Sequence, residues 1–270
     1  MKKSLLLLFV GFLLFPHFIS AQDHYRKLYY DNGVVKGEGN LDSLNNLNGD
    51  WTFYHPNGMK KSGGKYIHGK ATGCWFFWTQ VGKLDSYGWY KNDKLDSVWY
   101  FLFPNGGIQH IAHYKGDSLN GLWVEYWGDT IRKEAGNYVM GVKQGRWLSW
   151  YSNGKLESAA DYKDGGIDGS YSHWYDNGQL ESKGVIKKGQ AEGKWIFYDV
   201  PGNKIVEGSY HGGRYDGKWT EYSATGKKSA AGCYKDGVKV KKWLYFGESG
   251  KKIRKEIYRH AKIYKEVFYG

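Results

Sequence analysis

Cysteine, proline and long apolar runs are all scarce in this 270-residue chain, and each shortage narrows what it can be. The two cysteines, Cys74 and Cys233, sit far apart along the sequence. A disulfide between them is not expected, because the bridge needs Cα atoms within about 7 Å, so two buried free thiols are the expectation. The one long apolar stretch, Leu5 to Phe15, is 11 residues. That is too short to cross a bilayer as a helix, which takes about 20, so no transmembrane span is expected. Sustained 3.6-residue periodicity with helix caps is missing throughout. Clustered metal ligands are missing too. The nine histidines are scattered, and His110 and His113 are three apart on an expected strand, which sends them to opposite faces. The segment Asp42 to Asp50 only faintly resembles a calcium loop, since Leu44 stands where the first acidic ligand belongs. No Ser, His and carboxylate spacing suggests a nucleophile with its base, and no glycine cluster forms a phosphate loop after a strand.

Lys2 and Lys3, the apolar run and a small-residue end at Ile19-Ser20-Ala21 together predict a secretory signal peptide at 1–21. The expected product is exported: periplasmic, cell-surface or secreted. The formal charge is +12, but its distribution matters more than its size. From Lys235 to Gly270 there are 11 Lys or Arg against 4 Asp or Glu, so the basic character is local to that end.

What the chain has in abundance is a repeat. Aligned on Gly-x-Trp-x-x-aromatic, the leading ring recurs every 24 residues without an insertion, from Trp51 through Trp75, Trp99, Trp123, Trp147, Tyr171, Trp195 and Trp219 to Trp243. Seven residues after each ring comes a glycine, as at Gly58 and Gly178, with Thr130 the exception. Fifteen after comes a tyrosine, as at Tyr66 and Tyr138, with Ile186 the exception. Asn57-Gly58, Asn105-Gly106, Asn153-Gly154 and Asn177-Gly178 read as tight turns whose glycine takes positive φ, and Pro56, Pro104 and Pro201 fall in the same turn, where a missing N–H breaks no ladder. Alternation marks a strand before the turn, and a small-x-Tyr pattern ends the strand after it, the small residue leaving room for neighbouring rings. A second loop, such as Lys163 to Asp168, leads to the next hairpin. One such hairpin cannot stand alone, because ordering it costs more than its few buried rings return.

The predicted fold is therefore all-β: an elongated antiparallel meander of tandem 24-residue hairpins in a single sheet, with about 19 strands. Its parts are the leader at 1–21, a degenerate leading repeat and loop at 22–48, nine repeats at 49–264 and a terminal edge strand at 265–270.

The unit resembles the bacterial variant of the MORN repeat, through Gly-Lys-Trp-Ile-Phe-Tyr at 193–198 and Asp-Asn-Gly-Gln-Leu at 176–180. The resemblance runs over about residues 25–270. It implies a scaffold that binds proteins or membrane lipids. Relatives are often labelled antitoxin-like, which suits an exported chain poorly.

Two departures from the repeat are candidate sites. The position two after the leading ring holds Phe53, Phe77 and Phe101 in three successive units, then Glu125, Ser149, His173, Phe197, Glu221 and Tyr245. Polar residues accepted there suggest contact with water, so the three phenylalanines are expected either to form an exposed apolar row for a protein partner or to be buried where the sheet curls. The second is the basic end, with Lys251, Lys252, Arg254 and Lys255, which either docks on anionic lipid or envelope glycan or protects the last sheet edge. A non-enzymatic scaffold for a protein partner outside the cytoplasm is the expected function, with an envelope-glycan or anionic-surface binder as the alternative. No catalytic residue, cofactor, metal or nucleic-acid partner is expected.

Overall fold

The computed structural model describes residues 24–128 and 130–270, so the expected leader at 1–21 lies outside the described residues. Every element in the described part is a strand, 21 in all, joined in one sheet. Each strand pairs antiparallel with the next in the chain, from His24–Tyr29 against Val35–Leu41 to Lys252–Arg259 against Lys262–Phe268. This is the expected meander, with two strands beyond the expected 19. The extra pair is the leading segment, which forms a complete hairpin of its own. The terminal edge strand also starts earlier than residue 265, at Lys262.

Two turn types alternate, and the sequence dictates both. In the first, Gly58 N–H donates to the His55 carbonyl at 2.9 Å with Gly58 at φ +82°. Pro56 sits second in that turn, where its fixed φ suits the chain. The second turn is shorter than expected from Lys163 to Asp168, because it contains only Asp164 and Gly165, at φ +51° and +84°. Two successive positive φ angles give a primed turn, whose twist matches the strands it joins.

The core is a ladder of tryptophans lying flat on glycines of the preceding strand. The Trp75 ring lies on Gly64 of the preceding strand, where a Cβ would fall 2.3 Å from the indole. The same gap is 2.3 Å at Gly88 under Trp99, 2.1 Å at Gly136 under Trp147 and 2.2 Å at Gly232 under Trp243. No real side chain tolerates such a contact, so the small residue expected in the small-x-Tyr pattern has to be glycine for full ring burial. Trp51, Trp75, Trp99, Trp147 and Trp243 are accordingly buried, Trp243 completely. Where alanine replaces glycine, at Ala112 and Ala160, the facing Trp123 and Tyr171 are only half-buried.

The glycine of Gly-x-Trp has a separate reason. Gly73, Gly145 and Gly193 take φ of +72°, +69° and +64°, and the pairing to the preceding strand slips there, as between Gly63 and Lys65. The slip is a β-bulge, which disrupts the ladder locally. The indole then donates its N–H to the backbone beside the slip, Trp75 to the Lys65 carbonyl at 3.3 Å and Trp99 to the Trp89 carbonyl at 2.9 Å. Ser97 and Lys241 hold the same backbone conformation, at φ +57° and +58°, without being glycine.

Two substitutions check this account in denaturant melts. Lys241→Gly relieves about 1–2 kcal/mol of left-handed strain and loses about 0.5–1 kcal/mol to chain entropy, so it should stabilise the protein by up to about 1 kcal/mol. Gly88→Ala forces a methyl into the Trp99 ring and should destabilise by about 1–3 kcal/mol. An unchanged midpoint for Gly88→Ala would refute the ring-on-glycine packing.

Candidate interaction surfaces

Strand alternation places Phe53, Phe77 and Phe101 on the tryptophan face, and all three are half-buried. They are thus neither the free ridge nor the sealed core that the sequence offered as alternatives. Each is wedged between rings of the ladder. Phe53 lies 5.7 Å from Trp51 and 6.4 Å from Trp75, Phe77 lies 6.2 Å from Trp75 and 5.9 Å from Trp99. Phe101 lies 6.1 Å from Trp99 and 4.1 Å from His110, which carries the stack on to Trp123 at 4.8 Å. Burial keeps the His110 pKa below its ordinary value, which favours a neutral ring in this stack.

In the fourth, fifth and sixth repeats, polar pairs take over the same position. Glu125 bonds Lys133 at 3.0 Å, Ser149 shares a hydrogen bond with Ser158 at 2.7 Å, and His173 pairs with Glu181. The aromatic column is therefore interrupted in the middle of the array and resumes at Phe197, 6.0 Å from Trp195, and at Tyr245, 6.5 Å from Trp243.

The reverse face carries a second row that the sequence reading missed. Phe76 faces Tyr87, and Tyr87 faces Tyr100, on three successive strands. Their rings stand parallel, with centroids 5.8 Å and 4.8 Å apart. Trp78 stacks on Phe76 at 6.0 Å, and Phe76 and Trp89 are each 39% exposed. The signal was available one column away, in the residue directly after each leading ring, which reads Thr52, Phe76, Tyr100, Val124 and Leu148. Only its pairing with Tyr87, from the other strand of the hairpin, makes it a row. Cys74 and Cys233 are free thiols and half-buried, so the expectation of full burial does not hold; burial still pushes the Cys74 thiol up.

The basic end does not converge into one patch. Arg254 and Lys255 are neighbours on a strand and so point to opposite faces. Arg254 is committed, stacked 4.1 Å over Tyr245 and paired with Glu256 at 3.3 Å and Glu266 at 3.5 Å. Lys251 and Lys252 are exposed at the preceding turn.

Among the described residues no group of three or more His, Cys, Asp or Glu side chains could hold a metal, and His110 and His113 do occupy opposite faces. The displaced carboxylates have local structural causes. Asp42 is held at about 2 by the His68 ring at 2.9 Å and by the Asn46 backbone, closing the leading loop. Glu207 is held at about 2 by the Tyr222 hydroxyl at 2.6 Å, helped by Lys194 and Lys204.

The MORN repeat variant family model matches this chain at residues 25–42, 47–67, 143–164, 167–188 and 215–236. No curated protein matches it. Solved structures similar to it include a Photorhabdus luminescens Tc holotoxin pore, at 11% identity and a TM-score of 0.21, with 90% of this chain and 15% of that one covered. Another is TcdB2-TccC3 without its hypervariable C-terminal region, at 12% identity and 0.21, covering 91% and 15%. The chain thus spans under a fifth of those proteins, and likeness at that score supports no argument about shape.

Glu207 gives a pH test. Its folded pKa is depressed, so its contribution is present above the ordinary carboxylate range and disappears as pH falls toward about 2. Glu207→Gln should be less stable than the parent at pH 7, and the gap should close in acid melts between about pH 4.5 and 2. A pH-independent gap would assign the loss to packing.

Proposed function

Since the chain belongs to the MORN repeat variant family, we propose that it is a non-enzymatic scaffold acting outside the cytoplasm, whose N-terminal half grips an extended segment of a protein partner. The observation that carries this is the concentration of surface aromatics. Phe53, Phe77 and Phe101 line one face and Phe76, Tyr87 and Tyr100 the other, both within the strands from Leu47 to Leu102. Beyond them the first column is polar for three repeats, at Glu125, Ser149 and His173, and the second loses its rings to Val124 and Leu148. A single-layer sheet has no second layer to cover either row, and clustered aromatic surface of this kind marks interaction sites.

A protein suits these rows better than a glycan. Sugar rings stack on aromatic faces, and here the faces are spent on each other, with Phe76, Tyr87 and Tyr100 at 18° and 12° to their neighbours. The basic end is given no binding role, since its Arg254 is committed to Tyr245, Glu256 and Glu266 and its lysines form no single patch. Export rests on the leader expected at 1–21 and is tested by locating the protein in fractionated cells.

Phe77→Ser removes a half-buried ring between two tryptophans and should cost about 1–3 kcal/mol while weakening capture of the partner from the native envelope fraction by about 2 kcal/mol. Leu244→Ala, on the reverse face far from the strip, should cost a similar stability and leave capture intact. Equal loss of capture in both variants would show that stability, and not the strip, governs binding.

A further inference from the structure

One position in the repeat recurs at the bottom of a small aromatic well. It lies four residues before each leading ring and faces the tyrosine of the preceding strand, as Lys143 faces Tyr138 and Ala71 faces Tyr66. The protein usually fills the well itself. Leu95, Leu119, Ile167 and Tyr215 place apolar bulk there, opposite Tyr90, Tyr114, Tyr162 and Tyr210, with the Tyr215 ring 4.3 Å from Trp219.

Lysine does so with charge. The Lys143 ammonium sits 3.8 Å from the centre of the Trp147 ring and 5.4 Å from Tyr162, paired with the Glu134 carboxylate. Lys239 repeats the arrangement 4.2 Å over Trp243 and 5.5 Å from Tyr245. Cations over aromatic faces are attracted by the ring quadrupole, so these wells are built to hold an ammonium.

At Ala71 the filler is missing. A cleft of about 400 Å³ opens there, floored by Trp75. Tyr66 and Tyr90 wall it at 85° and 81° to the indole, centroids 5.0 and 5.9 Å away, and Phe53 and Phe77 flank it. Asp93 supplies the carboxylate at the rim, its Oδ1 fixed by the Ala71 N–H at 2.7 Å. Its field is felt in the well: burial first, and then Asp93 among other charges, raises the Tyr66 and Tyr90 phenols. The other alanine, Ala191, lacks these features, with Ile186 in place of the tyrosine wall and Gly213 where Asp93 stands.

We propose that the well left open by Ala71 binds a quaternary ammonium group of the choline type, held by Tyr66, Tyr90 and Trp75 and neutralised by Asp93. A quaternary cation suits the site better than a free primary amine, because its methyl groups match apolar walls and the aromatic cage is the recognised receptor for such groups. Lys61 borders the rim and opposes the guest modestly, as an exposed charge does.

The full chain is titrated with choline chloride at constant ionic strength, followed by tryptophan fluorescence, beside the uncharged isostere in which carbon replaces nitrogen. Choline should saturate the signal and the isostere should bind about fivefold more weakly or worse. Ala71→Lys and Ala71→Leu, each filling the well as other repeats do, should abolish saturation without lowering the melting temperature. Asp93→Asn keeps the hydrogen-bond acceptor and should weaken binding about threefold. Lys61→Ser should tighten it. Equal affinity for the isostere, unchanged choline binding in Ala71→Leu, or no saturation by the parent each overturns the proposal. Phosphatidylcholine vesicles separate the sources of the group: co-sedimentation competed by choline assigns it to a lipid headgroup, and saturation by choline without co-sedimentation to a soluble cation, both upholding the site. Protein capture is a separate readout, so failure here leaves the scaffold proposal standing.

Discussion

The whole architecture hangs on an indole ring laid against bare backbone. A tryptophan can be buried in a single-layer sheet only if the facing strand offers a flat floor, and only glycine leaves one. The ring then needs a partner for its N–H, which the backbone beside the bulge at Gly-x-Trp supplies, at 2.7 to 3.3 Å in Trp51, Trp75, Trp99 and Trp147. Floor, ring and acceptor come from neighbouring strands, so no repeat buries its own tryptophan alone. That dependence explains the constant 24-residue period, since one inserted residue would move a floor from under its ring.

The turns reinforce the same coupling. Asn57 donates to the Gln80 carbonyl at 2.8 Å, Asn153 to Asp176 at 2.7 Å and Asn177 to Val200 at 3.0 Å, each reaching the next repeat's turn. Tyr151 and Tyr175 send their hydroxyls across to Trp174 and Tyr198 in the same way. Asparagine is thus selected twice, once for the turn it enters and once for the turn beside it. With the frame held by glycine, tryptophan and these links, the remaining positions are free to vary, and variation on a fixed frame is how repeat proteins carry specificity. The column of Ala71, Leu95 and Lys143 and the column of Phe77, Glu125 and Ser149 are two such free columns on one face.

The fold was legible because its constraints are periodic. Nine leading rings recur in phase, each position of Gly-x-Trp, turn glycine and tyrosine being kept with few exceptions, and Asn57-Gly58 with Pro56 names its own turn type. What stayed hidden needs a partner strand to appear. The sequence shows Phe77 beside Trp75, but not that Phe77 is also 5.9 Å from Trp99 on another strand, which is why it is half-buried and not simply exposed. Tyr87 and Phe76 are eleven residues apart in sequence and neighbours only through the pairing register. The second loop was overestimated at Lys163 to Asp168 because its polar residues look like a loop when only Asp164 and Gly165 turn. Ala71 reads as a small residue in a strand until the lysines at 143 and 239 show what its neighbours put there.

The pattern changes at the last described strand, and the change follows from the same constraint. The position that would carry a tenth tryptophan holds Val267, so the floor beneath it no longer has to be glycine. Glu256 stands there instead, paired with Trp243 on one side and Glu266 on the other. It is buried, yet both Tyr245 and Tyr258 donate hydroxyls to it at 2.6 and 2.8 Å. Burial pushes its carboxyl up, but those bonds and the Arg254 charge outweigh it and keep the pKa below the ordinary value. A polar cluster thus stands where the other repeats lay a ring on bare glycine, and burial of a carboxylate is made possible there by the two tyrosine hydroxyls and the Arg254 charge.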